Sequence, residues 1–156
     1  MAVKYSVKDK NNLLTHNQWA CGEPLNNLDG FTYTYGPTHY RITDEYKQIG
    51  NKSIELTQFD KNMNVWLVLE INLSNEYIGQ TLTFESYVYN KNVDITRLKL
   101  FSNNSEISSI NLPISQGFQL YSMSFTYTNP VIFRFINYGS ESGQKLYVDN
   151  LRLYSQ

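Results

Sequence analysis

The sequence predicts an all-β chain folded as an antiparallel sandwich. Apolar and polar residues alternate with a period of two through most of its length, the spacing of strands with one buried face. Composition leans the same way: 13 Tyr, 8 Phe and 18 Asn stand against two Ala, a balance that suits strands and loops over helices. Turn signals built from Gly, Pro and Asn punctuate the alternation at short intervals, and no convincing run of 3.6-residue periodicity interrupts it. The 156 residues fit one domain with enough chain to bury a real core.

The elements follow in order. Residues 1–10 read as an added arm or lead, without the hydrophobic core of a signal peptide; a first methionine fits a natural start or a piece of a longer chain equally well. Residues 11–156 read as a single sandwich domain. The stretch from Trp19 to Asp29, with Gly22, Pro24, Asn26 and Asn27, is the least strand-like and is expected as a long loop. Phe31 to Tyr35 follows the turn pair Asp29 and Gly30, and Ser53 to Thr57 alternates. Val65 to Leu73 sets Leu67, Leu69, Ile71 and Leu73 on one face, with Trp66, Val68, Glu70 and Asn72 on the other. Past Gly79, Thr81 to Asn90 places Leu82, Phe84, Ser86 and Val88 inward against Thr83, Glu85, Tyr87 and Tyr89. Asp94 to Phe101, Ile107 to Leu112 (stopped by Pro113) and Phe118 to Thr128 continue the pattern. Asn129 and Pro130 turn the chain into Val131 to Tyr138, where Phe133 and Phe135 point inward and Arg134 outward. That makes about nine strands.

The closing strand, Lys145 to Tyr154, carries the most information. Its apolar beat is Leu146, Val148, then Leu151 and Leu153: steps of two, broken by one of three. Such a skip needs an extra residue, a β-bulge, at Asp149 and Asn150. A carboxylate there is costly unless paired, so Asp149 is a candidate cation ligand or turn anchor. An exposed Asp at a loose strand end is the alternative.

Composition also excludes function classes. A net charge of −1 implies no nucleic-acid partner, and no apolar window is long enough for a membrane span. Cys21 is the one cysteine, so an internal disulfide or thiolate metal site is excluded. His16 and His39 lack metal-ligand spacing, and no nucleophile elbow or phosphate loop occurs. Glu70 and Glu85 are the only carboxylates that tempt a glycosidase reading, and so small a domain without a loop-built cleft argues against catalysis. The chain is expected not to be an enzyme.

Four landmarks occur in order: Asn12 to Thr15 followed by Trp19, Ile78 to Val88, Gly117 to Thr126, and Leu146 to Leu153. Together they resemble the jelly-roll, galactose-binding-like carbohydrate-binding modules attached to xylanases and other glycosidases, a domain type shared with phage tail proteins and microbial adhesins. The resemblance covers residues 12–154. It implies a jelly roll, a polysaccharide or glycoconjugate partner, membership of a longer multidomain chain, and an extracellular or surface-attached place. It also implies a structural calcium held by the closing-strand Asp, matched by Asp149, with an acidic N-terminal stretch. Here that stretch is residues 15–20. The family's Glu is missing, and Asn17 and Gln18 offer only neutral oxygens.

Sugar binding needs flat aromatic faces for the C–H side of a pyranose and planar polar groups for its hydroxyls. The outward positions supply Trp66, Glu85, Tyr87, Tyr89 and Arg134, the last placed to pair with Glu85 or Glu70 or to grip a hydroxyl. Trp19 is expected as a core plug. Two functions fit: a module that attaches a larger protein to a glycan, or an adhesion module with a protein partner, for which Ile132 and Ile136 would form the apolar patch.

Overall fold

A computed structural model describes residues 11–21, 31–33, 40–48, 50, 52–58 and 65–155. The expected residue 1–10 arm and most of the Trp19–Asp29 loop lie outside them. The described residues form two five-stranded sheets. Sheet I runs β1 (Phe31–Tyr33), β4 (Val65–Ile71), β9 (Val131–Asn137), β6 (Thr96–Ser102), β7 (Ser105–Asn111). Sheet II runs β2 (Tyr40–Thr43), β3 (Ser53–Thr57), β10 (Lys145–Ser155), β5 (Thr81–Asn90), β8 (Gln119–Thr126). Every pairing is antiparallel, and consecutive strands lie in opposite sheets except for β2–β3 and β6–β7. Among the described residues no helix is long and apolar enough to cross a membrane.

The alternation read from sequence sorts residues between core and surface. Leu67, Leu69, Leu98, Leu100, Phe133 and Phe135 of sheet I meet Ile54, Leu56, Leu82, Phe84, Val88, Leu146 and Val148 of sheet II in one cluster. Phe84 lies face to face on Phe133 across the layers, ring centroids 3.9 Å apart. Each such side chain contributes about 1.5–3 kcal/mol by leaving water. Polar stitches close the ends. Buried Asn137 donates from Nδ2 to the carbonyls of Leu56 (3.2 Å) and Gln144 (3.0 Å), and its Oδ1 accepts the Gly139 N–H at 2.9 Å. Asn12 donates to the Leu151 carbonyl (3.0 Å) and accepts the Leu153 N–H (3.1 Å), fixing the entering chain along β10.

The bulge sits where the skipped beat demands it. Asp149 faces Tyr87, but the next register pair is Arg152 with Glu85: three steps on β10 against two on β5. Asn150 takes up the extra residue at φ 50°, a left-handed conformation that Asn tolerates.

Two elements depart from expectation. Strand β2 is a tenth strand, four residues at the edge of sheet II, too short to show an alternating pattern. Just ahead of the expected loop, and reaching its first residue, His16–Trp19 forms one helical turn, α1. The Thr15 N–H donates to Gln18 Oε1 at 3.0 Å and the Gln18 N–H approaches Thr15 Oγ1 at 3.4 Å, a capping box. The turn delivers Trp19 into the core, as expected of a plug.

Candidate functional site

The residues singled out from sequence divide between opposite faces of the sandwich. Glu85, Tyr87 and Tyr89 lie on β5 and face outward from sheet II. Trp66 on β4 and Arg134 on β9 face outward from sheet I. Arg134 therefore cannot pair with Glu85, and Glu70 and Glu85 cannot flank one glycosidic bond. A face assigned strand by strand does not say which sheet the strand joins, and that produced the merged reading.

Sheet II presents the more continuous outward face. One row crosses it as Arg41, Glu55, Tyr147 and Tyr89 on β2, β3, β10 and β5. Glu55 is 3% exposed, and its carboxylate accepts from Arg41 Nε (2.9 Å) and Nη2 (3.0 Å) and from Thr57 Oγ1 (2.8 Å). Burial pushes the Glu55 carboxyl up, but the bonds from Arg41, Thr57 and Tyr147 outweigh it and hold the group below its ordinary value. The Tyr147 phenol is pushed up by burial and by the Glu55 charge beside it. Over this row the 44–48 loop lays Tyr46, whose ring meets Tyr89 (5.0 Å) and Tyr147 (4.9 Å) edge-on; Phe118 adds a fourth ring 5.9 Å from Tyr89. Tyr89 is thus held within an aromatic bank.

Below the bank the sheet opens. Tyr87 stands between Asp149 on β10 and Leu120 on β8, which is 49% exposed. Next come Glu85 with exposed Arg152 and Ser122 on either side, then Thr83 with Tyr154 and Ser124. Asn11, Asn12, Glu85, Arg152, Tyr154 and Ser155 line a groove of about 330 Å³. A hydrogen bond to Glu85 holds the Tyr154 phenol above its ordinary value. The arrangement is a flat apolar step, Tyr87 and Leu120, leading into a cleft with both donors and acceptors. Arg152 and Tyr154 were missed from sequence, although counting on past the bulge turns both to the face of Glu85.

Asp149 anchors a turn. It is fully buried, Oδ2 accepting the Gln48 N–H (2.9 Å) and Oδ1 the Asn150 N–H (2.8 Å), while Asn150 Nδ2 donates to Gln48 Oε1 at 2.9 Å. The bulge thereby ties down the loop that carries Tyr46. Calcium asks for six to eight oxygens. Among the described residues no three His, Cys, Asp or Glu side chains converge, and both Asp149 oxygens already accept peptide N–H groups. Gln18, in the stretch that would supply the other ligands, spends its amide on the Thr15 N–H and the Glu70 carbonyl. The side chain of Asn17 lies outside the described residues, and those that are described do not by themselves make up a calcium site.

The outward face of sheet I is of another kind. Arg134 Cζ lies 4.0 Å from the Trp66 ring centroid and 4.4 Å from that of Phe101. Ile136 is fully buried and Ile132 half-buried, so the apolar patch expected for a protein partner is not presented.

Solved structures share this architecture. The enzymatically active domain of bacteriophage CBA120 tailspike protein 4 superposes with a TM-score of 0.70 at 11% identity, covering 94% of this chain and 22% of that one. The fold is the jelly roll of carbohydrate-binding modules. TmCBM61 in complex with beta-1,4-galactotriose matches at TM-score 0.64 and 9% identity over 84% of this chain and 92% of its own. The Stig cyclase Fisc from Fischerella sp. TAU, in complex with an indole derivative, matches at TM-score 0.68 and 14% identity over 93% and 97%. This chain thus spans under a quarter of the tailspike chain and nearly the whole of the other two. No protein-family profile and no curated protein matches the sequence.

Proposed function

We propose that this chain is a non-catalytic carbohydrate-binding module that attaches a larger, surface or secreted protein to a glycan. The observation that carries the reading is the outward face of β10, β5 and β8: Tyr87 and Leu120 form an apolar step beside Glu85, Arg152 and Tyr154. A pyranose laid with its C–H face on Tyr87 brings its hydroxyls within reach of the Glu85 carboxylate and the Arg152 guanidinium, groups that accept and donate in one plane. Tyr89 supports that surface from within the aromatic bank. The jelly-roll neighbours, one of them holding a galactotriose, favour the same class of ligand. The expected calcium is not part of this reading, because Asp149 is engaged in the turn.

Affinity electrophoresis through gels of galactan, xylan and other soluble polysaccharides tests it, after a glycan array has chosen the strongest. Tyr87→Ala and Glu85→Gln are expected to stay folded and to lose retardation. Retardation unchanged in both variants removes this face from the site. A chain ignored by every glycan on the array overturns the reading itself.

A further inference from the structure

The sheet I face carries an uneven set of charges. The register puts Lys99 of β6 directly opposite Arg134 of β9, with Arg97 one outward position along β6. Like charges facing each other across strands are destabilising unless something neutralises them. Lys99 has a partner, Glu106, at 2.7 Å. Arg97 and Arg134 have no carboxylate within ion-pair distance among the described residues; Arg97 Nη1 reaches only the Thr96 carbonyl, at 3.4 Å. Glu70 lies on the same face, opposite Ile132, and makes no ion pair with either.

Arg134 is also held in place. Trp66 from β4 and Phe101 from β6 flank its guanidinium from the strands on either side, and its buried Nε–H has no hydrogen-bond partner. Stacking occupies the faces of the guanidinium and burial closes Nε, which leaves the terminal Nη1 and Nη2 edge for an oxyanion to meet with two parallel hydrogen bonds. A flexible side chain that has already lost its freedom binds with a smaller entropic penalty.

We propose that the Arg97, Lys99 and Arg134 face of sheet I is a second binding site, selective for oxyanion groups on an acidic saccharide: the carboxylate of a uronic acid or a sulfate ester. Trp66 and Phe101 position Arg134. The site lies on the opposite side of the sandwich from Tyr87 and stands whether or not the sheet II reading holds. Net charge conceals it. At −1 the whole chain has no general attraction to polyanions, so binding to one reports this local patch.

The test is affinity electrophoresis of the whole chain through gels of polygalacturonate, dextran sulfate or neutral dextran, at low and high ionic strength. Retardation is expected in an acidic gel, not in dextran, and is expected to weaken with salt. The polygalacturonate and dextran sulfate arms tell carboxylate from sulfate. Arg97→Gln and Arg134→Met should each weaken binding by roughly tenfold or more, as loss of a charged hydrogen bond does. Arg134→Lys keeps the charge without the fork and should rescue little. No retardation in either acidic gel overturns the proposal, as does equal retardation of wild type and Arg97→Gln. Arg97 is the safer position, since it makes a single long bond to a carbonyl, and it decides the matter if Arg134→Met does not fold.

Discussion

Replacing Asp149 with Ala separates a turn anchor from a metal ligand. The carboxylate is fully buried and accepts two peptide N–H groups, from Gln48 and Asn150. A hydrogen bond to a charged group contributes about 1.5–3 kcal/mol. Gln48 is exposed and its N–H can find water once the loop loosens, so the lower value applies to each bond, and the loss comes to about 3 kcal/mol. For a domain of this size each kcal/mol moves Tm by about 2–4 °C, giving a fall of about 6–12 °C. Asp149→Asn keeps a single acceptor oxygen and should lose at least half as much. Freed at residue 48, the loop no longer presses Tyr46 on Tyr89 and Tyr147, so near-ultraviolet circular dichroism of the tyrosines should weaken as well. The assay is thermal melting with and without chelator. Wild type is expected to melt at one temperature in both. A chelator that lowers Tm of the wild type and leaves Asp149→Ala untouched would refute the anchor account and restore a bound cation.

Other consequences concern the buried charge, the core and the binding face. The Glu55 carboxyl titrates below its ordinary value in the folded chain. Its stabilisation is therefore complete above the unfolded pKa of about 4.3 and is lost as pH falls through the lower folded value. Urea midpoints measured across that range should fall, and Arg41→Met should flatten the fall. Arg41 is 53% exposed, which keeps the effect small, and an identical acid dependence in the variant would exonerate the pair. Phe84→Ala removes the ring stacked on Phe133 and should cost about 3–5 kcal/mol in denaturant titration; a loss below about 1 kcal/mol would mean the sheets do not meet there. Tyr87→Ala should change glycan retention while leaving Tm within a few degrees, because the residue is half-buried at the rim of the aromatic bank.

Much of this molecule was legible in its residues. The period-two alternation identified nine of the ten strands among the described residues and their inward sets, since a strand's two faces are a local property of the backbone. The skipped beat between Val148 and Leu151 located the bulge, because inward-facing residues cannot keep their side of the sheet across an odd step without an extra residue. The capping box of Thr15 and Gln18 was not read as a helix start, since one turn of helix leaves no periodicity to see. Strand β2 was equally silent.

Which outward faces belong together was another matter. Glu85 and Arg134 satisfy the same local rule, yet one lies on sheet II and the other on sheet I. Asp149 was expected as cation ligand or anchor, and the anchor reading rests on Gln48, more than a hundred positions away in the chain. The sequence by itself determined the sandwich, the core-facing residues and the place of the bulge, because each depends on neighbours within a few residues. Only the tertiary structure decided that Tyr87 joins Arg152 and Tyr154 in one groove and that Trp66 and Phe101 flank Arg134. Those meetings depend on which strands become neighbours, and strand order is set by the packing of the whole chain.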